Sequence, residues 1–254
     1  MEGFIKFFGT GGARFVAANQ IRATGGLWLN YKDTNLYIDP GPGAVVRIRG
    51  SKDHFDPSRL DGIILTHKHL DHANDVNIMI EAMTNGGFTK KGVLFCPNDA
   101  VSGDPVVLKY ATQYIDRIEV MKEKKSYTVK DVTFETPVRH IHGVETYGLI
   151  FNLGVTIGLI SDTKFFDELP DIYHTDYLIV NVLRVEPIDK NLPLDHLSFY
   201  DFASIISKAK PKMAIMTHFG FSMIKEKPWL LAEQLKKETG VEVVAAYDGM
   251  KSSF

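Results

Sequence analysis

Three of the nine histidines in this 254-residue chain fall in one stretch, Thr66-His67-Lys68-His69-Leu70-Asp71-His72. With Asp71, that places four potential metal ligands within six positions. Imidazole nitrogens and carboxylate oxygens are the donors that zinc and neighbouring divalent ions accept. His67 and His69 are two residues apart, so an extended segment presents both on one side. Asp71 and His72 lie where the chain should turn into a helix, within reach of a second ion. Further on, similar donors recur singly. Asp162 follows Gly158-Leu159-Ile160-Ser161, and His218 follows Met213 to Thr217, each at the end of a strand-like run. His140 and His142 share a face if their segment is extended, whereas His54 and His174 have no motif around them.

These donors need rigid elements to bring them together. Strands are expected at Phe4 to Phe8, Leu27 to Tyr31, Leu36 to Asp39, Ile63 to Thr66 and Val93 to Cys96. More follow at Ile118 to Met121, Tyr127 to Lys130, Val132 to Glu135, Leu149 to Asn152, Val155 to Ile160, Tyr177 to Leu183, Met213 to Met216 and Val241 to Tyr247. Lys32-Asp33-Thr34-Asn35 reads as the turn of a hairpin. Helices are expected over Asp75 to Thr84, Ser198 to Lys208 and Pro228 to Thr239, with Ser198 as an N-cap. Hairpins followed by strand–helix alternation predict mixed sheets with helices outside, an α+β architecture. No linker-like stretch divides the chain, so one domain over residues 1–254 is expected.

Composition narrows the function. Apolar residues make up 44% and charged residues 24%, which excludes a disordered or fibrous chain. A net charge of -2 gives no general attraction to nucleic acid or to an anionic membrane. The lone Cys96 cannot form an internal disulfide, and Met1 to Lys6 lack the basic start and apolar run of a secretory signal. The longest apolar stretch, Gly148 to Ile160, is broken by Asn152, Gly154 and Gly158. A cytoplasmic, soluble protein without a membrane partner is the expectation.

The sequence resembles the metallo-β-lactamase superfamily, whose hallmark is His-x-His-x-Asp-His after a strand. Leu36-Tyr37-Ile38-Asp39-Pro40-Gly41 is similar to the family's first motif. His142 before Gly143-Val144-Glu145-Thr146-Tyr147-Gly148, Asp162 in Ser161-Asp162-Thr163 and His218 in Met216-Thr217-His218 resemble its third, fourth and fifth. Ala246-Tyr247-Asp248-Gly249-Met250 is similar to the final strand of many members. The resemblance implies an αββα sandwich, two mixed sheets face to face with helices outside, and metals at one edge.

It also implies a division of ligands. His67, His69 and His142 would hold one ion, Asp71, His72 and His218 the other, and Asp162 would bridge them. The cofactors would be two divalent ions, zinc foremost, with manganese or iron as alternatives. His142 is preferred to His140 because of the Val-Glu-Thr-Tyr-Gly that follows. Asp39 would lie beneath the site and accept a hydrogen bond from a ligating histidine. Position 69 is His rather than the Glu of oxygen-reducing di-iron relatives, and position 71 is Asp rather than the Cys of one lactamase class. Both differences favour hydrolysis by analogy.

His196, in Asp195-His196-Leu197-Ser198, resembles a histidine of the phosphodiesterase branch, which includes tRNA 3′-end nucleases and cyclic-phosphate diesterases. There, such a residue contacts phosphate and protonates the leaving oxygen, a task suited to an imidazole. The implied function is hydrolysis of a small or cyclic phosphodiester through a hydroxide bridging the ions. Asp71 and His196 would be catalytic, and His196 and Ser198 would bind substrate. Thioester or lactone hydrolysis and a non-catalytic metal-binding module are the alternatives. The basic clusters, such as Lys90-Lys91 and Lys236-Lys237, are small, so a small-molecule substrate is preferred to nucleic acid. A homodimer is compatible with the sequence. Phe165, Phe166, Phe219, Phe221 and Met223 are candidates for an apolar mouth, because they closely follow ligands.

Overall fold

The computed structural model describes residues 2–187 and 194–254. Apolar residues alternate along the strands, so one face of each sheet meets the other sheet and the second face meets helices. Leu36 and Ile38 enter the space between the sheets while Tyr37 turns outward. Ile179 likewise enters it while Leu178 and Val180 turn outward. Three apolar cores result: one between the sheets and one under each outer helical layer. This is the αββα sandwich expected.

The strands are β1 (Gly3–Phe7), β2 (Leu27–Tyr31), β3 (Thr34–Ile38), β4 (Gly62–Ile64), β5 (Val93–Cys96), β6 (Arg117–Val120) and β7 (Lys125–Val129). They continue as β8 (Val132–Thr136), β9 (Leu149–Asn152), β10 (Thr156–Ile160), β11 (Tyr177–Asn181), β12 (Met213–Thr217), β13 (Glu242–Ala245) and β14 (Lys251–Ser253). One seven-stranded sheet has the order β14-β1-β2-β3-β4-β5-β6, the other β13-β12-β11-β10-β9-β8-β7. From β14 to β3 all neighbours are antiparallel, and from β3 to β6 all are parallel. The second sheet repeats this: antiparallel from β7 to β10, parallel from β10 to β13. Residues beyond the carboxyl ends of parallel strands are the usual site-builders of such sheets. Here those positions hold Asp39, the 67–72 run, Asp162 and His218.

The local differences from expectation have physical reasons. Thr34 and Asn35 already pair with Tyr31 and Asn30, so the first hairpin turn is shorter than the polar run suggested. Short helices at Ala13–Asn19 and Ala44–Arg49 have no side-chain N-cap and left no sequence signal. Phe199–Ala209 starts where expected, because Ser198 and Asp201 form a reciprocal capping box. β14 returns to pair with β1 and completes the first sheet.

Candidate metal centre

The ligand run leaves β4 without regular structure and enters a short helix, Leu70–Ala73. His69 is extended at the entry, and the rings of His67 and His69 meet edge to face with centroids 4.9 Å apart. Asp71 and His72 lie within the helix. Across from them, Asp162 follows β10, and His218 follows β12 in a left-handed conformation (φ 60°). Asp39 after β3 is left-handed too, at φ 53°. Non-glycine residues rarely adopt this geometry, so both strand ends are held against local preference by their surroundings.

Distances place the side chains around one point. Asp162 Oδ2 lies 3.7 Å from His67 Nε2, 3.5 Å from His72 Nε2, 4.0 Å from His142 Nε2 and 3.5 Å from His196 Nδ1. Its Oδ1 accepts from Asn181 Nδ2 at 2.9 Å. Asp71 Oδ2 is 3.4 Å from His218 Nε2 and 3.8 Å from His72 Nε2, and it accepts the Ala13 amide at 2.8 Å. His72 Nε2 faces His218 Nε2 at 2.9 Å, and His142 Nε2 faces His69 Nδ1 at 3.0 Å. Four groups have donors within 4.8 Å of one another: His67–His69–His142, His67–His72–Asp162, Asp71–His72–His218 and His142–Asp162–His196. All seven residues of the expected ligand set therefore converge, with His196 beside them.

The outward-facing nitrogens are orientated. His72 Nδ1 donates to Asp39 Oδ2 at 2.9 Å, which leaves Nε2 pointing into the cluster. Asp39 also accepts from the Thr66 amide and hydroxyl, both at 2.7 Å. His142 Nδ1 donates to the Asp195 carbonyl at 2.9 Å. His67 Nδ1 is 3.1 Å from the Thr66 hydroxyl, whose own proton is committed to Asp39. The hydroxyl therefore accepts from Nδ1, and a bare lone pair remains on Nε2.

The donor set fits divalent ions. His67 Nε2 is buried, has no hydrogen-bond partner and faces Asp162 Oδ2 at 3.7 Å. A buried imidazole lone pair pointed at a carboxylate is unfavourable unless a cation lies between them. Burial and neighbouring histidines hold His67 and His142 below the usual imidazole range, and His69 down to about 4. These rings are thus neutral and ready to ligate. Burial pushes the Asp162 and Asp71 carboxyls up. The surrounding histidines outweigh it, His218, His196 and His72 around Asp162 and His72 and His218 around Asp71, so both stay ionised. Burial pulls His72 down, yet Asp162, Asp71 and Asp39 together raise it.

Glycines let the cluster close. A side chain on Gly12 would collide with the His218 ring, and one on Gly41 with the Asp71 carbonyl. Asp248 clamps the Gly12 loop, accepting from the Thr10 amide at 2.9 Å, the Thr10 hydroxyl at 2.7 Å and the Ala23 amide at 2.8 Å. Close approach to the His218 ring and to the Asp71 carbonyl is what positions 12 and 41 require of a glycine.

The remaining candidates fall as follows. Ser198 is fully buried, and its hydroxyl bonds Asp201 at 2.7 Å as a helix cap, so it is withdrawn as a substrate contact. Asp195 turns its carbonyl to His142, and its carboxylate lies 3.4 Å from Lys164. His140 is buried against the Tyr173 hydroxyl at 2.9 Å. Phe219 and Met223 are core residues, and Phe165 and Phe166 pack against the second sheet's outer core. A cleft of about 1350 Å³ opens over the cluster, and its apolar wall comes instead from Phe15, Leu70, Leu183 and Leu194.

A sandwich of this kind, with five imidazoles and two carboxylates in mutual reach, is the framework of a metal-dependent hydrolase. The chain belongs to the β-lactamase superfamily, whose domain model matches residues 34–219. An uncharacterised protein of Methanocaldococcus jannaschii is 33% identical over 97% of this chain and 93% of its own length. A ribonuclease Z of Clostridium tetani is 23% identical over 85% of this chain and 88% of that protein. The crystal structure of a diphosphatase from the PhnP family superposes with a TM-score of 0.72 at 19% identity, covering 100% of this chain and 98% of that one. No helix among the described residues is long and apolar enough to cross a membrane.

Proposed function

We propose that this protein is a dinuclear phosphodiesterase. His67, His69 and His142 would hold one ion and Asp71, His72 and His218 the second, with Asp162 in reach of both groups. Zinc suits a set dominated by imidazoles. Bound ions would supply a nucleophilic hydroxide at neutral pH and neutralise charge on a phosphate oxygen. The protein's own residues do the rest. Asp39 and the Asp195 carbonyl fix the rings of His72 and His142. His196 protonates the leaving oxygen of the ester.

The observation that carries the reading is the place of His196. It lies 3.5 Å from Asp162, half-buried on the cleft wall, with its ring 5.0 Å from that of His142. A group bound over the ligands would touch it. Two of the similar proteins bear names that denote cleavage of bonds to phosphorus, a ribonuclease and a diphosphatase.

The test is His196→Ala in zinc- or manganese-loaded protein assayed with a 2′,3′-cyclic nucleotide, whose alkoxide leaving group needs a proton. We expect full metal content and a loss of about a hundredfold or more in kcat. A rate near wild type sinks the acid assignment. Turnover of thioesters or lactones that is indifferent to His196→Ala, with no diester turnover, would move the reading to those substrates.

A further inference from the structure

The helix Ala13–Asn19 stands directly on the metal-ligand cluster. Its first amide donates to Asp71 at 2.8 Å, and Val16 and Ala17 anchor it in the core. Its other side faces the cleft with Arg14, Phe15 and Ala18. Phe15 is 60% exposed although it lines the same cleft as His69, Asp71, His142, Asp162 and His196. Leaving a phenyl ring in water at a cleft wall forgoes the stabilisation of burial. The ring is nonetheless held in place. Phe221, three residues beyond His218, meets it edge to face, with centroids 5.6 Å apart and planes at 76°. Leu70 and Leu194 are also exposed on this cleft, at 65% and 46%. Arg14 is the one Lys or Arg lining it among the described residues.

A held aromatic face, an adjacent guanidinium and a cluster suited to a phosphate group describe a substrate with two parts. The geometry points to Phe15 as a specificity-determining residue that stacks a flat aromatic ring carried by the non-leaving side of the phosphodiester, with Arg14 supplying attraction to its negative charge. This rests on the phosphodiesterase reading and adds the substrate's chemical class. The ring could belong to a nucleobase or to a simple aryl ester, and both offer the same face.

Three esters with one leaving group separate the possibilities: methyl, phenyl and thymidine 5′ p-nitrophenyl phosphate. We expect KM for at least one aromatic ester to lie about tenfold below that of the methyl ester, in line with a stacked base. Phe15→Ala should remove most of that preference by raising KM with little change in kcat, and Phe15→Trp should retain it. Preference for the thymidine ester alone assigns the ring to a base, and preference for the phenyl ester alone assigns it to an aryl group. Equal KM values for all three, or a Phe15→Ala effect shared equally by the methyl ester, overturn the proposal. If no ester turns over, the phosphodiesterase reading falls. Calorimetric binding of thymidine monophosphate, phenyl phosphate and methyl phosphate then decides about Phe15. Tighter binding of an aromatic ligand, lost in Phe15→Ala, upholds the stacking face, and equal affinities reject it.

Discussion

The two sheets follow one plan yet serve the site differently. In the first, the single connection after β4, with its short helix, carries His67, His69, Asp71 and His72. In the second, His142, Asp162 and His218 arrive from three separate connections. The contrast is sharpest between two aspartates in equivalent places, Asp39 after β3 and Asp162 after β10. Asp39 is saturated: the Thr66 amide, the Thr66 hydroxyl and His72 Nδ1 all donate to it. Asp162 receives one donor on Oδ1, from Asn181, and leaves Oδ2 among four imidazoles. A carboxylate's task is set by how many donors claim its oxygens, and strand position alone does not decide it.

That comparison can be broken by substitution. Asp162→Asn should have the largest effect, since it removes the charge between the two ligand groups. We expect metal content to fall below two per chain and kcat/KM to drop by about a thousandfold, measured by elemental analysis and diester hydrolysis. Unchanged metal content would show that Asp162 is no more than a second Asp39. Asp39→Asn should keep every ligand but loosen His72, costing about 10–100-fold in metal affinity in a chelator competition. A loss as large as that of Asp162→Asn would erase the distinction. Ser198→Ala should have the smallest effect: about 1 kcal/mol of stability from the lost cap, read by denaturant unfolding, with KM unchanged. A raised KM would restore Ser198 as a substrate contact.

Legibility in the sequence followed the range of the interactions. The 67–72 run was readable because its ligands are neighbours and its strand is apolar. The capping box at Ser198 and Asp201 was half readable: its N-cap was recognised, yet analogy gave the same hydroxyl a second task that burial forbids. Asp162 and His218 could be placed only at strand ends, and their convergence needed the sheet order. Phe15 escaped notice because its helix is short and uncapped and its partner, Phe221, comes from the far half of the chain. Closeness to a ligand in sequence misled for Phe219 and Met223, where the chain turns inward and buries them. The purpose of Gly12 is not legible in the sequence, because its constraint is a ring contributed by another strand's end.

Asp248 lies 238 positions after Thr10, and β14 beyond it pairs with β1. The edge strand and the clamp of the first sheet are therefore translated after the whole second sheet, although the other six strands of the first end by Val120. Until they emerge, the glycine loop lacks its clamp and the wall behind His218 stays loose. Such long sequence separation slows folding, because a large loop must close before its contacts form. The candidate ligands are complete at His218, so what the end of the chain adds is the clamp on the Gly12 loop that packs against that ring.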